Sequence, residues 1–186
     1  MYQVMVVDDE PMAASLIVNI IKQKYNKFEI MGTAYNGEEA LELIQEKGEP
    51  DILITDIQMP VMNGLKLVEE TKKQYPNVIS VIVSGYQEFE YAKQAIAFGV
   101  CDYILKPIVP SEFSKLITRI EEKLKQKYYK ERNTLIHKMV NEIPVDEKTL
   151  WRYFQSECYY GAIVRLNGLP SRYGERGEKG SLFRHQ

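Results

Sequence analysis

No run of about 18 apolar residues, the length a membrane-crossing helix needs, occurs anywhere in the chain. The N-terminus also lacks the basic start, apolar middle and small-residue cleavage site of a secretory leader. These two absences predict a soluble cytoplasmic protein with no membrane partner. Cysteine is scarce: Cys101 and Cys158 are the only two. Thiols so far apart in sequence make neither a disulfide framework nor a metal site, so each is expected to be a small buried apolar residue in a reducing compartment. The two histidines, His137 and His185, are isolated and read as solvated surface positions rather than ligands or phosphorelay groups. Nor does one sign of charge dominate. With 24 basic and 26 acidic side chains the net charge is −2, which argues against a surface devoted as a whole to nucleic acid or anionic lipid.

What the chain does have is alternation. From Tyr2 to about Pro110, short β-branched runs alternate with longer segments of helical period, the pattern of βα units around a parallel sheet. Five strands are predicted, near residues 3–7, 28–31, 52–54, 78–83 and 102–105. The first helix opens at Pro11 and places Leu16, Ile17, Ile20 and Ile21 on one stripe toward the sheet. Asn36-Gly37 and Asn63-Gly64 start the next two helices, Tyr75-Pro76 ends the third, and a fourth covers residues 88–98 with Gly99 suited to its C-terminal cap. The near-continuous apolar character of strands one, three and four means burial on both faces. The fold class is therefore α/β, a doubly wound five-stranded parallel sheet.

Beyond Ser111, the residues Phe113, Leu116, Ile117, Ile120 and Leu124 form a core-facing stripe, and helical character then continues into residues 125–142. This extension is expected to protrude, as a solvated linker or as half of a short dimer seam. A short helix with Leu150, Trp151 and Phe154, a strand-like stretch at 159–166 and a Gly- and Arg-rich disordered tail come next. About forty residues bury little core alone. The expected division is a domain over 1–125, a linker helix over 126–145, and the start of an incomplete second domain over 146–186.

In an open parallel sheet the active crevice lies beyond the carboxyl ends of the strands. Those ends carry Asp8-Asp9, Asp56, Ser84-Gly85 and Lys106-Pro107. Taken singly, each is ordinary: a loop pair, a helix N-cap, an exposed lysine. Together they bring three carboxylates, a hydroxyl and an ammonium to one shallow site. Clustered carboxylates repel, and a hard divalent cation with oxygen ligands relieves the repulsion, which implies Mg²⁺. A metal there also binds phosphoryl oxygens, leaving one carboxylate to attack phosphorus. Asp56 stands alone at the tip of the central strand and is the candidate nucleophile, with Asp8 and Asp9 as metal ligands. Lys106 and Ser84 would contact the phosphoryl oxygens.

Val7-Asp8-Asp9-Glu10-Pro11, Asp56-Ile57-Gln58-Met59-Pro60 with Asn63-Gly64, Ser84-Gly85-Tyr86 and Lys106-Pro107 resemble the signature of response-regulator receiver domains over residues 1–125. The resemblance implies the strand order 2-1-3-4-5 of a chemotaxis receiver, a metal site of Asp8, Asp9, Asp56 and the Gln58 backbone carbonyl, a cis Lys106-Pro107 bond, and Tyr103 as a switch aromatic. It also implies a sensor histidine kinase as phosphoryl donor and a homodimer on phosphorylation. The segment from Ser84 to Ile96 resembles the subgroup with an AraC-type DNA-binding output domain, so DNA would be reached only through a domain absent from this chain. An enzyme of the haloacid dehalogenase type is disfavoured, since its Asp-x-Asp motif comes after the first strand. A phosphorylation-independent interaction module would be expected to lose a site residue, and none is lost here. The chain is thus expected to be a signalling switch and not an enzyme in its own right.

Overall fold

The computed structural model describes residues 1–85 and 89–154. The strand expected at 159–166, the tail, Cys158 and His185 lie outside the described residues. Among the described residues, five strands and six helices follow one another in the order β1 (Tyr2–Val7), α1 (Pro11–Lys24), β2 (Phe28–Ala34), α2 (Gly37–Lys47), β3 (Ile52–Thr55), α3 (Gly64–Gln74), β4 (Ile79–Ser84), α4 (Phe89–Ala97), β5 (Asp102–Leu105), α5 (Pro110–Val140) and α6 (Glu147–Tyr153). All strand pairs are parallel, and the sheet order is β2-β1-β3-β4-β5. This is the doubly wound parallel fold expected from the alternating pattern, in the strand order that the resemblance implies.

Period-two alternation within each strand sorts the core into layers. Val4, Val6, Ile52, Ile54, Val81 and Val83 face Ala14, Ile17 and Ile21 of α1 and Phe113, Leu116, Ile117, Ile120 and Leu124 of α5. Met5, Val7 and Leu53 point the other way, onto Ala40 and Ile44 of α2 and Leu67 and Val68 of α3. A smaller cluster of Ile57, Leu65, Ile82 and Ala95 seats α4, with Tyr103 packed at its edge. The central strands are covered on both sides and carry no alternating polar face.

Helix starts obey local chemistry. The side-chain oxygens of Asn36 and Asn63 accept the backbone N–H groups of Glu39 (3.0 Å) and Lys66 (2.9 Å), capping α2 and α3. α1 and α5 instead begin on Pro11 and Pro110, whose missing N–H costs nothing at a first turn. Gly99, at φ 70°, adopts the left-handed conformation expected after α4.

Four expectations change. Leu16 is 49% exposed, and the inward stripe of α1 is Ala14, Ile17 and Ile21, because one residue of a helix turns the side chain by about 100°. β2 runs on to Ala34. Its pairing with β1 skips Met31, since Val4 pairs Ile30 and Met5 pairs Gly32, and a bulge of this kind beside a glycine masks the alternation. Cys101 is half-buried rather than enclosed, with its Sγ 3.2 Å from the Lys123 ammonium.

The fourth is the extension of α5, which does not stand free. Leu135 is buried, and Tyr128 packs edge-on to Tyr2 and against Tyr153 of α6, which folds back on the sheet side of the long helix. Tyr129, Ile136 and Val140 stay exposed on its outer face.

Among the described residues Phe113 is the largest fully buried side chain, and it joins α5 to the sheet. Phe113→Ala is expected to lower stability by about 3–5 kcal/mol, the usual cost of emptying an aromatic core site. Urea unfolding monitored by circular dichroism checks this.

Candidate functional site

The strand ladder continues past each strand end and sets the site. The Asp8 N–H donates to Ala34 O (3.1 Å), the Asp56 N–H to Val7 O (2.9 Å) and the Lys106 N–H to Ser84 O (2.8 Å). Residues nearly a hundred positions apart are thereby held at one edge of the sheet. The order reverses between β1 and β3, and the crevice opens where the two flanking crossovers part.

Asp8 is fully buried, Asp56 nearly so, and Asp9 exposed. One carboxylate oxygen from each lies within 4.8 Å of the others, the only such group of three among the described residues. The Lys106 ammonium sits 2.7 Å from Asp56 Oδ2 and 2.8 Å from Asp8 Oδ2. Asp8 Oδ1 accepts from the Glu10 N–H at 3.0 Å, whereas Asp8 Oδ2, though close to the ammonium, has no well-aligned hydrogen bond. Asp56 Oδ1 accepts from the Ile57 N–H. A buried carboxylate oxygen with spare lone pairs, flanked by two further carboxylates, is a donor set that suits a hard divalent cation.

Titration reflects the same crowding. Burial pushes the Asp8 carboxyl above its ordinary value, with the Asp56 charge adding to it, and the Lys106 ammonium only partly offsets the rise. For Lys106, burial pulls downward, but the close carboxylates of Asp56 and Asp8 outweigh it and hold the ammonium above its ordinary value.

Ser84 is fully buried at the last position of β4, on the same edge as Lys106. Tyr103 is half-buried on β5 against Ile82 and Ala95. Gln58 is exposed in the loop after β3, where its side-chain amide donates to the Tyr91 hydroxyl of α4 at 3.4 Å. The Lys106-Pro107 peptide bond is cis. His137 is exposed on α5, away from the crevice.

Two residues not singled out as site members shape the Asp56 loop. A Cβ on Gly64 would lie 1.8 Å from the Asp56 carbonyl oxygen, so only glycine admits the backbone there. Thr55 Oγ1 donates to that same carbonyl at 2.8 Å, and the Gly64 N–H donates to Ile57 O at 2.9 Å. Asn63-Gly64 carries the signal, but a turn and a close backbone approach look alike in sequence. In the same loop Val61 has φ 66°, a strained conformation for a β-branched residue.

Fold and site together define a class of protein: an open, doubly wound parallel α/β domain with an acidic crevice facing one lysine. The family model of the response regulator receiver domain matches residues 4–119, and the chain belongs to that family. It is 36% identical over 181 residues to a protein of Bacillus subtilis (strain 168) named "uncharacterized transcriptional regulatory protein YesN", covering 95% of this chain and 47% of that one. The transcriptional regulatory protein HptR of Staphylococcus aureus (strain NCTC 8325 / PS 47) is 38% identical over 120 residues, covering 64% of this chain and 46% of its own. The crystallised receiver domain of AraT, a response regulator from Geobacillus stearothermophilus, superposes with a TM-score of 0.63 at 36% identity, over 68% of this chain and 97% of its own. The chain spans about half the length of the curated relatives it matches.

Lys106→Met removes the one ammonium between two buried carboxylates and is expected to cost about 1–3 kcal/mol at pH 7.5, as when a buried charge loses its partner. A carboxyl whose pKa is raised on folding opposes folding when ionised. The penalty at Asp8 is therefore relieved as pH falls toward its raised pKa. Thermal melts should show the variant's deficit shrinking between pH 7.5 and pH 5, whereas Lys106's own stabilising contribution in the wild type is present at neutral pH and fades only as pH rises above about 10.5.

Proposed function

We propose that the chain is the receiver half of a cytoplasmic two-component transcriptional regulator, accepting a phosphoryl group on Asp56 from a phosphohistidine of a sensor histidine kinase. The observation that carries this reading is the Lys106 ammonium lying 2.7 Å from Asp56 Oδ2 and 2.8 Å from Asp8 Oδ2, beside the carboxylate of Asp9. A nucleophile, its electrostatic partner and a cation-binding pair meet at one edge of the sheet.

Asp8, Asp9, Asp56 and the Gln58 backbone carbonyl would hold Mg²⁺, which when bound supplies charge neutralisation to the phosphoryl oxygens. In the transfer, an Asp56 carboxylate oxygen attacks phosphorus as the P–N bond to the donor imidazole breaks, and the nitrogen keeps the bonding pair. The Lys106 ammonium and the Ser84 hydroxyl then donate to separate phosphoryl oxygens. Hydrolysis returns the Asp56 carboxylate and inorganic phosphate, so the protein turns over only its own phosphoryl group and is a switch rather than an enzyme acting on a small substrate.

Ser84 is drawn toward the phosphoryl group, and the space it leaves at the end of β4 lets the Tyr103 ring turn inward. The half-buried position of Tyr103 against Ile82 and Ala95 supports this role. The changed α4-β5-α5 face then pairs two copies. Residues 1–125 form the receiver, 126–145 a linker that is helical as far as Val140, and 146–186 the start of a second domain, whose AraC-type DNA-reading part lies outside this chain. The names of YesN and HptR as transcriptional regulatory proteins support a transcriptional output.

Acetyl phosphate with Mg²⁺ is expected to add one acid-labile phosphoryl group to the wild type, read as a mass increase of one phosphate on the intact protein. Asp56→Asn should gain none, and EDTA should abolish labelling of the wild type. Equal labelling of the variant refutes Asp56 as acceptor. Sedimentation velocity is expected to show a shift from monomer toward dimer on phosphorylation; an unchanged distribution speaks against pairing through α4-β5-α5.

A further inference from the structure

At the pole of the sheet opposite the crevice, Asp51 sits just before β3 and is 1% exposed. Its Oδ2 accepts from the Gln3 N–H at 2.9 Å, a bond within the domain. The remaining bonds come from outside the compact sheet. The Tyr128 hydroxyl of α5 lies 3.1 Å from both carboxylate oxygens, and Arg152 Nη2 of α6 donates to Oδ1 at 3.0 Å. The same guanidinium uses Nη1 to reach Glu49 at 3.1 Å, so one planar fork bridges two carboxylates of the loop between α2 and β3. The Lys127 ammonium adds charge 3.8 Å from Asp51 Oδ1.

α6 is fastened at its end as well. Arg132 Nε donates to the Tyr153 carbonyl at 2.8 Å, and the Tyr153 ring lies 4.9 Å from that of Tyr128. Burial pulls the Arg152 guanidinium toward losing its proton, but Asp51 and Glu49 outweigh it and hold it charged. A seven-residue helix is too short to persist in water by itself, so its helical form here depends on what it docks against.

We propose that the acidic pole formed by Asp51 and Glu49 is a docking receptor for residues 146–154 of the same chain, with Arg152 as the inserted key. The latch holds the start of the second unit against the receiver. The chain past Phe154 therefore departs from a defined point instead of hanging from the tip of a free linker helix. Asp51 and Asp56 flank the same four-residue strand, so the departure point and the crevice are referenced to the two ends of one rigid element, about 17 Å apart. Nothing in this latch requires phosphorylation, and it stands or falls separately from the assignment of Asp56.

Hydrogen exchange read by mass spectrometry on the 186-residue chain tests it, comparing the wild type, Arg152→Met, Asp51→Asn and the double variant. In Arg152→Met the α6 amides are expected to exchange at least about tenfold faster, with β1 and β3 unchanged. Asp51→Asn should release α6 as well, and the double variant should release it no further than either single one. Arg152 lies outside the core clusters, so its variant stays informative even where Asp51→Asn weakens the domain. Three results overturn the latch: α6 amides unprotected in the wild type, α6 protection retained in Arg152→Met, or faster exchange across the whole sheet in that variant.

Discussion

Three carboxylates at one sheet edge repel one another, and the Lys106 ammonium is the group that makes the crowd tolerable. It reaches Asp8 and Asp56 at nearly equal distances, from a strand end placed by the ladder bond between Lys106 and Ser84. Much of the surrounding structure serves this balance. Gly64 lets the loop after Asp56 close against its carbonyl, Thr55 and Ile57 satisfy that loop's polar atoms, and the apolar layers beneath keep Asp8 dry. Burial raises the cost of charge at Asp8, and the adjacent Lys106 ammonium only partly offsets it.

The opposite end of β3 solves a related problem differently. Asp51 is also a buried carboxylate, but it is surrounded by donors rather than by other carboxylates: a backbone N–H, a tyrosine hydroxyl and a guanidinium. One strand thus carries a carboxylate crowded by two others at its carboxyl end and a carboxylate ringed by donors at its base.

Much of this architecture is legible in the sequence. Alternating β-branched runs and helical stripes specify βα units, and the parallel sheet results because strands joined by helical crossovers return in the same direction. Asp8, Asp9, Asp56, Ser84 and Lys106 stand out because each lies at the carboxyl end of a strand. The structure brings Asp8, Asp9, Asp56 and Lys106 within ion-pair or ligand distance, with Ser84 at the adjoining strand end. Leu16 misleads because a leucine one residue off the inward stripe looks equally apolar in sequence. β2 reads short because a bulge at Met31 breaks the alternation that marks a strand.

The course of α5 is the larger surprise. A helical period says that residues beyond Leu124 coil, but not which way the chain turns afterwards, and Tyr128 reads as one more surface tyrosine until Asp51 and Arg152 are seen beside it. Local pattern determined the elements, their order along the chain and the polar residues at the strand ends, because those depend on spacing of about 2.0 and 3.6 residues and on the chemistry of single side chains. Tertiary structure alone decided that Gly64 must touch Asp56, that one ammonium bridges two carboxylates, and that an arginine about a hundred residues downstream closes over the base of β3. Such contacts join positions far apart in sequence, and no local periodicity encodes the distance between them.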